Sequence, residues 1–244
     1  MADLREIAQI SLEQEIKHWW IATRFQYIDK TIEQLLFQGK QNLKILELGC
    51  GSGQNLYYLR KHSTYSKSIS QINGVDPFLP VGYKADWLGV NDSIGQVLPT
   101  QEKFDLILAM DVLEHIENPQ QLLNTWIPYL DNNGILLVSV PAFMSLWSYQ
   151  DVHLGHFRRY TKNSVLQLFE QTKLRPLRIC YAFSFIFPLV WLIRKVINRN
   201  QIGSDDLRPQ NPVVNFILKF LGQVEFVLGG NPLFGTSVIA IFQQ

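Results

Sequence analysis

Only two cysteines, Cys50 and Cys180, occur in the 244 residues. Two thiols make no disulfide framework, so a reducing cytoplasm is the expected setting. An excess of one charge is also missing. The 22 Lys and Arg nearly cancel 21 Asp and Glu, and a formal +1 gives no global reason to expect a nucleic-acid partner. The longest uncharged apolar run, Ile179 to Ile193, has 15 residues and contains Pro188, whereas a spanning helix needs about 20. The opening stretch MADLREIAQISLEQEIKHWW carries charges throughout and no apolar centre, so no secretory signal is expected from it. Neither an internal repeat nor a low-complexity tract is visible. What the chain does have is 47% apolar against 18% charged residues, which excludes disorder and supplies the core of one domain with an elaboration.

The apolar residues are patterned. Residues 5–38 read as helical, with Phe25, Ile28, Ile32, Leu35 and Leu36 at spacings of three and four. Short apolar runs then alternate with helical patterns. LKILEL, SQINGVD, FDLILAM and GILLVSV read as strands, and QNLYYLRKH and NPQQLLNTWIPYL as helices, the second closed by DNNG. The loop PAFMSLWSYQDVHLGHFRRY precedes a helix capped by Thr161, and LRICYAF and TSVIAIF are the last two strands. About fifty residues separate those two, far more than an ordinary connection, so helices of their own are expected there. Strands alternating with helices imply a parallel sheet wound on both faces, whose ligands sit at the carboxyl ends of the strands.

One such end is KILELGCGSGQN. Gly49, Gly51 and Gly53 allow positive φ and clear side chains from a ligand lying on the main chain. The helix that follows offers it free N–H groups. A dinucleotide fingerprint wants G-x-G-x-x-G, but Gln54 stands where its last glycine belongs. Glu47 suits a ligand with an ammonium group. Asp76, closing the second strand in GVDP, can accept both hydroxyls of a ribose, or simply form a turn before Pro77.

With ELGCGSG, GVDP and FDLILAMDVLEHIENP in order, residues 18–180 resemble the class I S-adenosylmethionine-dependent methyltransferases. The resemblance implies an α/β fold with a doubly wound, seven-stranded, mostly parallel Rossmann-like sheet. N-terminal helices precede the sheet, and a helical insertion precedes its last strand. It implies S-adenosylmethionine as donor and S-adenosylhomocysteine as product. Gly49, Cys50, Gly51 and Gly53 would line the methionine part, Asp76 and Pro77 the ribose, and Met110 the adenine and sulfonium. VNDSIGQ supplies Asp92, Ser93 and Ile94 around the adenine. HWWIATRFQYI is similar to the N-terminal helix of ubiquinone-biosynthesis O-methyltransferases and related bacterial enzymes. Arg24 matches the arginine that reaches the donor's carboxylate in them; the alternative is a solvated helix charge.

A hydroxyl acceptor needs a base. Two segments offer one. In DVLEH, Asp111, Glu114 and His115 share a face if the turn is helical, and could hold a divalent ion or merely order the loop. A metal is not the favoured reading. In HLGHFRRYT, His156 is the candidate base. Trp20, Tyr149, His153, Arg158, Arg159 and Tyr160 are the acceptor-facing candidates, against a bland alternative of solvated arginines and locally packed histidines.

Residues 157–199 hold nine Lys or Arg against one acid, Glu170, and bracket the longest apolar run. That arrangement suits an anionic membrane at its inner face, or a buried lid with snorkelling arginines. The layout expected is a single domain over 1–244: helical cover 1–42, core 43–185, insertion 186–235 and last strand 236–244. The function expected is O-methylation of a small or lipophilic acceptor. A saccharide or envelope precursor, a non-catalytic donor-binding protein and a nicotinamide oxidoreductase are the alternatives. No N-P-P-Y-type tetrapeptide supports methylation of nucleic acid.

Overall fold

A computed structural model describes residues 11–194 and 211–244. Its centre is a seven-stranded sheet ordered β3-β2-β1-β4-β5-β7-β6. The strands are β1 (Leu43–Leu48), β2 (Ile69–Val75), β3 (Ser93–Gly95), β4 (Phe104–Met110), β5 (Leu130–Pro141), β6 (Arg175–Ala182) and β7 (Ser237–Gln243). Strands β1 to β5 pair in parallel, and β7 lies antiparallel between β5 and β6. This is the doubly wound, mostly parallel sheet expected. Helices α1 (Leu12–Glu15), α2 (Trp19–Phe37), α3 (Gln54–Lys61), α4 (Pro119–Trp126), α5 (Tyr149–His153), α6 (Lys162–Phe169), α7 (Phe187–Leu192) and α8 (Pro212–Val227) cover it.

Alternating residues feed two cores, because successive strand side chains point to opposite faces. Ile45, Leu106, Leu108 and Leu137 join one core with Phe25, Ile28, Ile32 and Leu35 of α2. Leu46, Ile107, Leu136 and Val138 join the other with Leu123, Trp126, Val165 and Phe169 from α4 and α6. Both faces of the sheet are therefore dry, as parallel strands require.

The helical reading of 5–38 is corrected in one respect. Residues 5–10 lie outside the described part, and the rest is two helices, broken at Ile16–His18. The break comes where His18 turns extended and its ring accepts from Trp20 N–H, starting α2 afresh. DNNG opens β5 rather than closing a helix, with Asn133 at φ 58°. Thr161 caps α6 as expected.

The insertion between β6 and β7 supplies α7 and α8. Helix α8 lies on α2, and Gly222 is what permits the approach: a Cβ there would stand 2.5 Å from Thr23 Oγ1. Asn215 pins the pair, accepting from Trp19 N–H at 2.8 Å and donating to the Lys17 carbonyl at 3.0 Å. Among the described residues no helix is long and apolar enough to cross a membrane.

Candidate active site

The carboxyl ends of β1, β2 and β4 converge on the glycine elbow. Gly49, Gly51 and Gly53 have φ of 67°, 51° and 84°. At Gly51 an added Cβ would meet nothing within 4 Å, so the main chain there fronts open space. Asp76 braces the elbow, accepting from Gly51 N–H at 3.0 Å and Phe78 N–H at 2.8 Å. Each carboxylate oxygen keeps a lone pair for another donor. Tyr83 and Trp87 fold over the outer side of the turn, Tyr83 donating to the Ser52 carbonyl at 3.1 Å.

Beneath the elbow, Glu47 is buried and accepts from Asn55 through Oε1, while its Oε2 has no partner. Burial pushes its carboxyl up to about 8, although Asn55 and nearby Arg24 pull the other way. Arg24 is also buried, its Nη1 2.8 Å from Asp111 Oδ2 and its Nε without a partner. An unfilled carboxyl oxygen and an unfilled guanidinium nitrogen are what an amino-acid zwitterion would satisfy.

Asp111 holds φ 57°, Phe143 56° and Phe183 60°, at or just past the ends of β4, β5 and β6. A bulky side chain at positive φ is costly, and such residues gather where a site over-determines its backbone. Ser139 donates to Asp111 at 2.7 Å. Phe143 stacks on Tyr181 and meets Phe187 edge-on, and Phe187 meets Phe234, so an aromatic rim follows β5 and β6.

The loop after β5 carries the polar groups. Ser148 and Asp151 form a capping box that starts α5. Asp151 is fully buried and accepts from His156 Nδ1 at 2.9 Å and Arg159 Nε at 2.7 Å. Burial alone would raise its carboxyl, but these two partners hold it well below the ordinary range. His156 in turn meets His115 edge-to-face, with ring centroids 4.6 Å apart. Burial, then the neighbouring His156, pushes His115 down to about 4.

Several expected residues stand round this cleft and others turn away. Cys50 is buried against Gly74, Ile94 packs over Gly53 and Gly74, and Met110 is buried at the end of β4. Pro77 is exposed beside Asp76, and Ser93 accepts from Asn73 at 2.7 Å. Asp92 faces inward instead, holding Arg60 at both oxygens and accepting from Ile72 and Gly89 N–H. Arg159 is spent on Asp151 and the Ala142 carbonyl, and Tyr160 is buried with its hydroxyl donating to the Leu113 carbonyl. Those three shape the site's frame, because partners already fill their polar atoms. Arg158 reaches the Glu117 carbonyl at the surface, and Tyr149 and His153 stack on exposed α5. Trp20 lies under the Arg24 guanidinium at 4.7 Å and near Phe183. The residues missed were Asp151, Phe143 and Phe183; the S-x-x-D pattern at Ser148 was the one signal that marks Asp151.

Asp111, Glu114 and His115 do not form one face. The turn is a single 3-10 turn over Leu113–His115, and Asp111 points to Arg24 and Ser139. The atoms that gather are those of Glu114, His115 and His156, within 4.8 Å of one another. Burial, then Asp111, holds the Glu114 carboxyl well above its usual value. One carboxyl and two imidazoles do not match the all-oxygen shell that Mg²⁺ or Ca²⁺ takes.

Comparison with known proteins agrees with this frame. Residues 20–178 match the family model described as "Methyltransferase domain". The ubiquinone biosynthesis O-methyltransferase of Rickettsia typhi is 25% identical over 118 residues, 48% of each chain. That of Coxiella burnetii, strain Dugway 5J108-111, is 24% identical over 119 residues, again 48% of each. The chain thus spans about half the length of the curated relatives it matches. The plantazolicin methyltransferase BamL, solved with a triazolic desmethylPZN analog and SAH, superposes with a TM-score of 0.55. It has 15% identity, and the match covers 98% of this chain and 88% of that one, which speaks for a shared fold. With the family model spanning well over half of its length, this chain belongs to the methyltransferase-domain family.

Proposed function

We propose that the protein transfers a methyl group from S-adenosylmethionine to a hydroxyl of a small, lipophilic acceptor. The observation that carries the reading is His156, oriented by buried Asp151 and set against His115 in the turn after β4, the strand that pairs with β1. The bound donor supplies a methyl group already activated on a sulfonium. Asp76 has lone pairs for the ribose hydroxyls, Glu47 Oε2 for the ammonium, and Arg24 Nε a hydrogen for the carboxylate. Asp151 takes the Nδ1 hydrogen of His156, which leaves Nε2 to accept the acceptor's proton. His115, pushed down to about 4 by burial and then by His156, is a poor proton acceptor. The aromatic rim of Phe143, Phe187 and Phe234 favours an apolar acceptor body.

Calorimetry with S-adenosylhomocysteine, followed by methyl-transfer assays on a panel of lipophilic phenols and alcohols, tests this reading. Binding with turnover supports it. Binding without turnover on any acceptor favours a donor-binding protein, and no binding ends the proposal.

Two further results are expected. Glu47, with its folded value raised from 4.5 to about 8, is protonated near neutral pH, whereas the unfolded carboxyl is not. The folded chain therefore binds the extra proton between those values, and this group's contribution to stability falls as pH rises through that window. Cation binding at Oε2 should expel the proton. Donor-binding enthalpies measured near pH 7 in buffers of different ionisation heat should reveal proton release, and Glu47→Gln should abolish it. Secondly, turnover should not depend on added Mg²⁺, because the Glu114, His115 and His156 set puts two imidazoles where Mg²⁺ takes oxygen ligands. Loss of activity that added Mg²⁺ restores would contradict this.

A further inference from the structure

Helix α8 is amphipathic in the reverse sense. Its inner face, Asn215, Leu218, Gly222 and Phe226, is at least half-buried against α2 and its surroundings. Its outer face repeats at three and four residues as Val213, Phe216, Ile217, Phe220, Val224 and Val227, all exposed. Phe216 is 70% exposed and Val227 81%. The short helix α7 adds exposed Leu189, Trp191 and Leu192, and the turn before β7 adds Leu233. An apolar face this large on a well-docked helix marks an interaction surface.

Its charges are one-sided. The only acid on α7 or α8 is Glu225, and it is turned inward to accept from Ser184 N–H and Oγ. Cations border the face. Lys162 donates to the Pro232 carbonyl at 2.6 Å, in the turn that carries exposed Leu233, and Lys219 sits on α8 itself.

We propose that this face of α7 and α8 docks on an anionic phospholipid surface. Apolar side chains enter the acyl boundary while the bordering cations meet the headgroups. Trp191 is the kind of side chain that settles at the interface between the two. The helices lie on the surface rather than through it, since none in the described residues is long and apolar enough to span. A second copy is the poorer occupant, because face-to-face pairing would bring two basic borders together. The proposal does not depend on methyl transfer.

Flotation of the full chain with vesicles tests it. The protein should float with mixed phosphatidylglycerol and phosphatidylcholine, and much less with phosphatidylcholine alone or at high salt. Phe216→Gln with Phe220→Gln should weaken partitioning tenfold or more, roughly the value of one aromatic side chain's transfer. Both positions are exposed, so the melting temperature and S-adenosylhomocysteine affinity should not change. Absence of flotation, or equal flotation by the double variant, overturns the proposal. A concentration-dependent dimer in light scattering that the double variant abolishes would assign the face to a second copy, and equally overturn it.

Discussion

Turnover by a His156→Ala variant is expected to fall about 10²–10⁴-fold, the usual worth of a positioned base, with donor affinity unchanged. The imidazole is held rather than free. Asp151 takes Nδ1 at 2.9 Å, and His156 N–H donates to the Asp151 carbonyl at 2.8 Å. One rotamer and one tautomer are thereby fixed, and Nε2 is left over. Arg159 keeps Asp151 ionised through its own contact at 2.7 Å, so the orienting charge persists to low pH. Removing the ring leaves that frame intact. The loss should appear in kcat and not in the dissociation constant for S-adenosylhomocysteine. Unchanged turnover would remove His156 as the base. His115 is a poor proton acceptor in the intact chain, where burial and then His156 push it down to about 4.

The second large effect belongs to the elbow. Gly51→Leu should weaken S-adenosylhomocysteine binding by up to about a hundredfold, since overpacking an occupied space costs up to about 3 kcal/mol. The chain itself should tolerate the change. No atom lies within 4 Å of the new Cβ, and φ of 51° is left-handed but reachable at a cost of about 1–2 kcal/mol. For a chain of this size that lowers the melting temperature by roughly 2–8 °C. Calorimetry reads the first effect and thermal melting the second. If affinity is retained, the donor lies elsewhere, and the roles given to Glu47 and Asp76 fall with it.

The sheet was legible because apolar alternation and strand-to-helix spacing are local. LKILEL and FDLILAM carry both cores in adjacent residues, and the elbow announces itself by three glycines. Other features depend on distant partners. Asp92 looked like a ligand contact until Arg60, from a helix thirty-two residues back, was seen to hold it. Asp111 seemed to stand one helical turn from Glu114 and His115. A left-handed backbone at Asp111 and a single 3-10 turn after it separate them. Nothing local foretells positive φ at Phe143 or Phe183, whose rings are placed by Tyr181 and Trp20 across the fold. His156 was visible as a candidate, whereas the carboxylate that orients it needed the loop to close.

The position of β7 has a consequence for how the chain assembles during synthesis. Among the described residues β6 has no sheet neighbour except β7, which follows the other six strands along the chain. As the polypeptide leaves the ribosome, β1 to β5 can pair, but β6 must wait, unpaired, until Ser237–Gln243 emerges. Throughout that interval β6 keeps an open pairing edge, which is where mispairing would begin.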